Sequence, residues 1–385
     1  MITPRENLLK VLRHEKPEWI PVVGHIDPYS QPNRDGMDPE LARKLGTIKW
    51  EDGSTCIFSQ YLGLDVMDYF GELMHVNPIA APIIRKRRKV TVERIDKGDV
   101  WVIIYKTPRG DLQEVYKVVR EDGTFQCIER LVKGVDDLPI LTCIFEDEDH
   151  VLADNAEDFV RNRKALIGNS GLSRCYMPGT PLGMMVRLYC GVEGVAYLWA
   201  DHKEELWQLF NVMEENHLRQ FRLYASLGYD ILYGTDDTST TTISPSMFEE
   251  FCLGYTDRVA DTVHKYGVLY AHHSCGLINN LLDLYRQTRM DAVDALCLGP
   301  IGNVPSIAKA KEMLGPSISI IAALHQMNYP IDDRNSVAES IEKMFSDSYP
   351  GDNMIFCLAA TPHLNMEQTS FIVQECRKHQ RMFAV

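Results

Sequence analysis

From about residue 160 onward the chain alternates short apolar, β-branched runs with longer stretches in which apolar residues recur every three or four positions. The short runs are Ala165 to Gly168, Asp230 to Tyr233, Val268 to His272, Ala292 to Leu296, Ser317 to Ala322 and Met354 to Leu358. Between them lie patterns of helical period, such as Lys203 to Tyr224, Ser246 to Tyr266 and Ser336 to Ser346. A strand followed each time by a crossover helix predicts parallel pairing. Trp19 to Val23 and Leu64 to Met67 bring the strands to eight, the number that closes a (β/α)8 TIM barrel. An open doubly wound sheet is the alternative. No Gly-x-Gly-x-x-Gly follows any of these strands, which argues against a dinucleotide site on such a sheet.

The N-terminal part has another texture. Thr3 and Glu6 read as a capping box around Pro4, so the chain is expected to open on a helix. Trp101 to Tyr105, the turn at Pro108-Arg109-Gly110-Asp111, and Leu112 to Val119 predict a hairpin, and Glu121-Asp122-Gly123 marks a further turn. The expectation is one barrel domain over residues 1–385, carrying a β-hairpin-rich insertion over residues 71–150.

Composition narrows the class. With 45% hydrophobic and 24% charged residues over 385 positions, the chain has the balance of a globular enzyme, which excludes disorder, collagen and coiled coil. Asp and Glu number 54 against 40 Lys and Arg, a net charge of −14 that opposes nucleic-acid and anionic membrane partners. No apolar run is long enough to span a bilayer and no basic-then-apolar leader opens the chain, so a cytoplasmic protein is expected. Ten scattered cysteines then read as free thiols, mostly core, with a few available as metal ligands.

Barrel chemistry gathers at the C-terminal ends of the strands. There stand Gly24-His25-Ile26-Asp27, Asn169-Ser170, Thr235-Asp236-Asp237-Thr238, His272-His273-Ser274-Cys275-Gly276, His325-Gln326 and Cys357. His273 and Cys275 are two apart, so on an extended segment both leave by one face and can share an ion. With Cys357 they make an imidazole and two thiolates, a zinc set that leaves a fourth position open for catalysis. Asp236 follows an apolar strand and suits proton transfer, while Asp237 either touches substrate or caps the next turn. His25 and His325 are further substrate-binding candidates; Arg187 and Tyr189 either line the pocket or pack elsewhere.

Several segments together resemble the uroporphyrinogen decarboxylase superfamily over nearly the whole chain. They are Pro4-Arg5-Glu6-Asn7-Leu8-Leu9 followed by Ile20-Pro21-Val22, Thr107-Pro108-Arg109-Gly110, Gly234-Thr235-Asp236-Asp237, Ser244-Pro245-Ser246-Met247-Phe248 and His273-Ser274-Cys275-Gly276. The resemblance implies a (β/α)8 barrel. The decarboxylases carry an arginine-bearing Met-Arg-Gln-Ala-Gly-Arg-type segment that holds tetrapyrrole propionates; His25-Ile26-Asp27-Pro28-Tyr29 stands in its place, so porphyrinogen decarboxylation is not expected.

The chain looks closer to the corrinoid-dependent methyltransferases of the same superfamily, whose His-x-Cys, long gap, Cys zinc pattern His273, Cys275 and Cys357 match in order. That likeness implies zinc, and methyl transfer from an O-methylated aromatic donor to the cobalamin of a separate corrinoid protein. The chain has no Asp-x-His-x-x-Gly segment that would hold the corrinoid itself. A methylamine donor, a thiol such as coenzyme M, a decarboxylase-related barrel of other specificity and a barrel that only binds a ligand are the alternatives. Some ether-cleaving relatives are assigned zinc through Glu-x14-Glu-x20-His, a spacing that Glu114, Glu129 and His150 also satisfy. Monomer and homo-oligomer are both open.

Overall fold

The computed structural model describes residues 2–25, 37–46, 54–71, 82–119, 125–325, 332–358 and 364–382. Ile26 to Tyr29, the Glu121-Asp122-Gly123 turn and Gln326 lie outside them. In chain order the strands are β1 (Val22–Gly24), β2 (Val66–Tyr69), β3 (Ile83–Lys86), β4 (Thr91–Asp96), β5 (Val100–Thr107), β6 (Gly110–Val118), β7 (Phe125–Glu129), β8 (Asp149–Leu152), β9 (Gly171–Pro178), β10 (Ile231–Asp236), β11 (Leu269–Ser274), β12 (Ala292–Leu296), β13 (Ser319–Leu324) and β14 (Met354–Leu358).

Eight of them pair side by side in the order β1-β14-β13-β12-β11-β10-β9-β2, every pair parallel. The two ends of this order meet. Asp65 N–H donates to the Val22 carbonyl at 3.0 Å, and a parallel bridge joins Val23 to Asp65. The cylinder is therefore closed, the expected (β/α)8 barrel, and not an open sheet. Among the described residues, no helix is long and apolar enough to cross a membrane.

Alternation along the strands sorts the side chains. Val23, Met67, Leu172, Ile231, Ala271 and Ile355 fill the inside of the cylinder, while Leu232, Ile320 and Phe356 face the surrounding helices. The opening helix, Pro4–Leu12, carries the expected Thr3/Glu6 capping box. It packs Leu8, Val11 and Leu12 into the interior cluster, and Arg5 ties it to the start of two strands, donating to the Gly171 carbonyl at 3.0 Å and to Asp230 at 2.9 Å. The helix thus closes the cylinder at the strands' N-terminal end, leaving the opposite end as the mouth.

One strand is not where the apolar pattern places it. Ala165 to Gly168 belongs to the end of the helix Ala156–Ile167 and the turn after it, and the strand is Gly171–Pro178. The buried Ser173 and Arg174 break its apolar run in the sequence. Asn169 and Ser170 therefore lie at the wrong end of the cylinder for chemistry, and Pro178 leads into the mouth instead.

Between β2 and β9 the chain leaves the barrel. The predicted hairpin is β5 and β6, joined across Thr107 and Gly110, within an antiparallel sheet of order β4-β5-β6-β7. β3 and β8 form a second antiparallel pair.

Candidate active site at the barrel mouth

Several inward-facing positions near the C-terminal ends of the strands are partly exposed: His25, Tyr69, Tyr176, Thr235, Asp237, His273, Cys275 and His325. Their centre is His273, the last inward residue of β11. Its Nδ1 lies 2.6 Å from Asp294 Oδ2, an Asp facing inward from the next strand. Cys275 lies within hydrogen-bonding reach of the same ring. Burial alone would lower the imidazole pKa, but the bonds to Asp294 and Cys275 lift it to about 10. Against its own burial, Asp294 is held below the usual carboxylate range by the His273 hydrogen bond and charge and by the Arg174 charge. A β-bulge follows Asp294, with Ala295 at φ 63.

Cys357 is at the same end of the cylinder, paired across from Ala323 and Val23. It packs with the interior cluster, and burial followed by the Asp294 charge pushes its thiol up to about 12. Cys297, which the sequence reading passed over, stands in the same electrostatic neighbourhood: burial, then Cys275 and Asp294, push it up to about 12 as well. Among the described residues, no three His, Cys, Asp or Glu side chains stand close enough together to hold a metal ion. The donors still suit zinc in kind. An imidazole whose Nδ1 is held by a carboxylate presents Nε2 to a metal, as zinc-binding histidines commonly do, with one thiol beside it and others in the same neighbourhood.

His25 faces Tyr69 with ring centres 4.8 Å apart, and the Tyr176 hydroxyl lies 3.5 Å from its Nδ1. Burial, then the Arg174 charge, lower its pKa to about 3, so it is neutral. His325 ends β13 at the mouth, its pKa lowered by burial. Asp237 is half-buried, and burial followed by the Asp236 charge raises its pKa.

Asp236 requires a correction. It is 2% exposed and, one residue out of phase with Thr235 and Asp237, faces the helices. Its oxygens accept from Thr180 N–H at 2.8 Å and Asp237 N–H at 3.0 Å, so it fixes the loop after β9 and does not address the mouth. Arg187 is exposed, and Tyr189 is buried against Phe145. The alternative metal set does not assemble. Glu114 is buried under the Tyr105 and Tyr116 hydroxyls; Glu129 pairs with Val115, hence leaves the opposite face, and meets Lys133 at 2.9 Å. His150 sits on the other sheet, 3.4 Å from Glu148.

Residues 161–379 match the family model described as Uroporphyrinogen decarboxylase (URO-D). The chain belongs to this family. No curated protein matches it in sequence. Among solved structures, this URO-D chain is similar to a methyltransferase from Methanosarcina mazei, at 14% identity and TM-score 0.63, covering 98% of this chain and 99% of that one. It is also similar, at TM-score 0.36 and 11% identity, to a D-psicose 3-epimerase from Clostridium cellulolyticum H10, covering 58% of this chain and 81% of that one. The first likeness is one of fold. It agrees with the closed barrel described above.

Of the two charged residues beneath this mouth that the sequence reading missed, one was readable. Asp294 is a lone charge inside the apolar run Ala292–Leu296, in phase with Ala292, which marks an inward carboxylate. Arg174 was hidden by the misplacement of its strand.

Proposed function

We propose that this URO-D family chain is a corrinoid-dependent methyltransferase, moving a methyl group from an O-methylated aromatic donor to the Co(I) of a separate corrinoid protein, with zinc held by His273, Cys275 and Cys357. The observation that carries the reading is the His273 imidazole, braced through Nδ1 by a buried Asp294 and set beside a thiol at the open end of the cylinder. The full-length likeness in fold to the Methanosarcina mazei methyltransferase supports it.

Bound at these residues, zinc supplies Lewis acidity to the ether oxygen on which charge develops as the methyl group leaves. Asp294 keeps the His273 ring in one orientation and one tautomer. The rings of His25, Tyr69 and Tyr176, with centres 4.8–6.2 Å apart and tilted against one another, form an aromatic cluster at the mouth suited to contact an aromatic donor. The bond that breaks joins the methyl carbon to oxygen, and its electron pair stays on oxygen. Asp237, whose raised pKa lets it hold a proton at higher pH than a free carboxylate, returns that proton to the oxygen. Asp236 acts as a positioning residue, holding the Thr180 loop in place.

The test is incubation of the chain with a methoxyarene and reduced corrinoid protein. The expected result is methylcobalamin absorbance, about one zinc per chain, and loss of both in His273→Ala and Cys275→Ala. No methylcobalamin from any methoxyarene, or a full zinc content in His273→Ala, removes the reading.

A further inference from the structure

Three inward cysteines share one level of the cylinder, at the ends of β11, β12 and β14. His273 pairs with Asp294 across β11 and β12, and Asp294 with Ile321 of β13. The extra residue Ala295 then sets Leu296 opposite Ala322, so Cys297, one residue on, comes level with Ala323 on one side and with Cys275 on the other. Cys357 faces Ala323 from β14. In order round the wall stand Cys275, Cys297, Ala323 and Cys357.

Neighbouring strands lie about 5 Å apart, inside the span of about 4.4–6.8 Å between Cα atoms that a disulfide bridges. Cys275 and Cys297 are neighbours in this sense, whereas Cys357 is two strands beyond Cys297, about 10 Å away and out of reach. Cys275 and Cys297 each lie one residue past the end of a strand, and Gly276, at φ 89, turns the chain directly after Cys275. The Cys297 thiol donates to the Ala295 carbonyl at 3.2 Å, a weak bond that is given up when the side chain turns. The two thiols also feel one another: after burial, the Cys275 charge acts most on Cys297, ahead of Asp294.

Exposure divides their roles. Of the ten cysteines, Cys127, Cys190 and Cys275 are partly exposed and the rest are buried; Cys297 is 4% exposed. After burial, Arg130 acts most on Cys127 and on Cys190, so neither has a thiol as its main neighbour. We propose that Cys275 and Cys297 are an oxidation site, at which a hydroperoxide joins them in a disulfide and so withdraws Cys275 from the metal. The Cys275 sulphur attacks the peroxide, the O–O bond breaks, water or an alcohol leaves, and Cys275 becomes a sulfenic acid. The Cys297 sulphur then attacks that sulphur, and the sulfenic hydroxyl leaves as water with the Cys297 proton. Two electrons pass from the thiols to one peroxide. The loss of metal rests on the zinc set proposed above, and the bridge on the strand register alone.

Hydrogen peroxide added in slight excess to the zinc-loaded full chain tests it. Two of the ten thiols should be lost, counted after denaturation, and both should return with dithiothreitol. Peptide mass mapping without reductant should show Cys275 joined to Cys297, and a chromophoric chelator should register about one zinc released per bridge. Cys297→Ser should form no bridge and hold Cys275 as a sulfenic acid that dimedone labels; Cys275→Ser should lose neither thiol. Near-UV circular dichroism reports whether the variants fold; where they do not, the wild-type peptide map decides.

Survival of all the thiols, a bridge from Cys275 to any other cysteine, or a bridge that leaves zinc in place overturns the switch. The two readings fail separately. A Cys275–Cys297 bridge in a chain that takes up no zinc keeps the oxidation site and removes the metal centre, whereas zinc uptake and methyl transfer without any bridge keep the transferase and remove the oxidation site.

Discussion

Adjacent aspartates with the same chemistry do different work here because a strand sends neighbours to opposite faces. Asp236 points outward, into the turn before the helix Pro181–Met184, and Asp237 inward, to the mouth. Gly183 is what admits the Asp236 carboxylate: a Cβ there would lie 1.4 Å from its Oδ1. Gly183→Ala should therefore displace the carboxylate from Thr180 N–H and cost about 2 kcal/mol, read as a lower urea midpoint with an unchanged slope. The His273–Asp294 pair makes the second prediction. Asp294→Asn keeps the shape and removes the charge that orients the imidazole, so zinc affinity, measured by competition with a chromophoric chelator, should fall about 10- to 100-fold. Unchanged affinity would mean that the metal does not sit on His273.

At the level of elements, hairpin and helices were legible because each is specified by near neighbours. The β5–β6 register follows from the turn at Pro108-Arg109, and the opening helix from its capping box. The third barrel strand was not legible, since its polar residues are explained only by partners distant in sequence: Ser173 by Asp230, and Arg174 by the mouth. The insertion is anchored to its neighbours in the same long-range way. Glu148, between the helix Leu138–Asp147 and β8, pairs with Arg87 and, at 3.3 Å, with Arg85 of β3.

Burial pushes the Glu148 pKa up, yet the His150 hydrogen bond and the two arginines bring it down from 4.5 to about 2. A carboxylate whose folded pKa is depressed stabilises the fold above its unfolded pKa and loses that contribution as pH falls through the folded one. Glu148→Gln should cost about 3 kcal/mol at pH 7 by leaving two arginines unpaired. The gap between wild type and variant in urea unfolding should shrink as pH drops from 4.5 toward about 2; a gap independent of pH would show that the charge is not what holds this corner.

Over the whole molecule, stability is unevenly distributed. β13 is buried at every residue between two parallel neighbours, while β4 is an edge strand exposed at nearly every position. Amide exchange in β4 should run about 100-fold or more faster than in β13; equal protection would mean that insertion and barrel open only together. The apolar pattern by itself located seven of the eight parallel strands and the end of the barrel that bears polar residues, because burial on both faces writes itself into a strand as a continuous apolar run; the third strand, broken by Ser173 and Arg174, it misplaced. It also placed His273 and Cys275 on one face, since their spacing matches the strand period. Only the tertiary structure decided that Asp294 braces His273, that Asp236 faces away, and that Arg174 lies among three tyrosine rings beneath the mouth. Those facts depend on which strands become neighbours and on how a closed cylinder brings distant residues to one rim, and neither is carried by local periodicity.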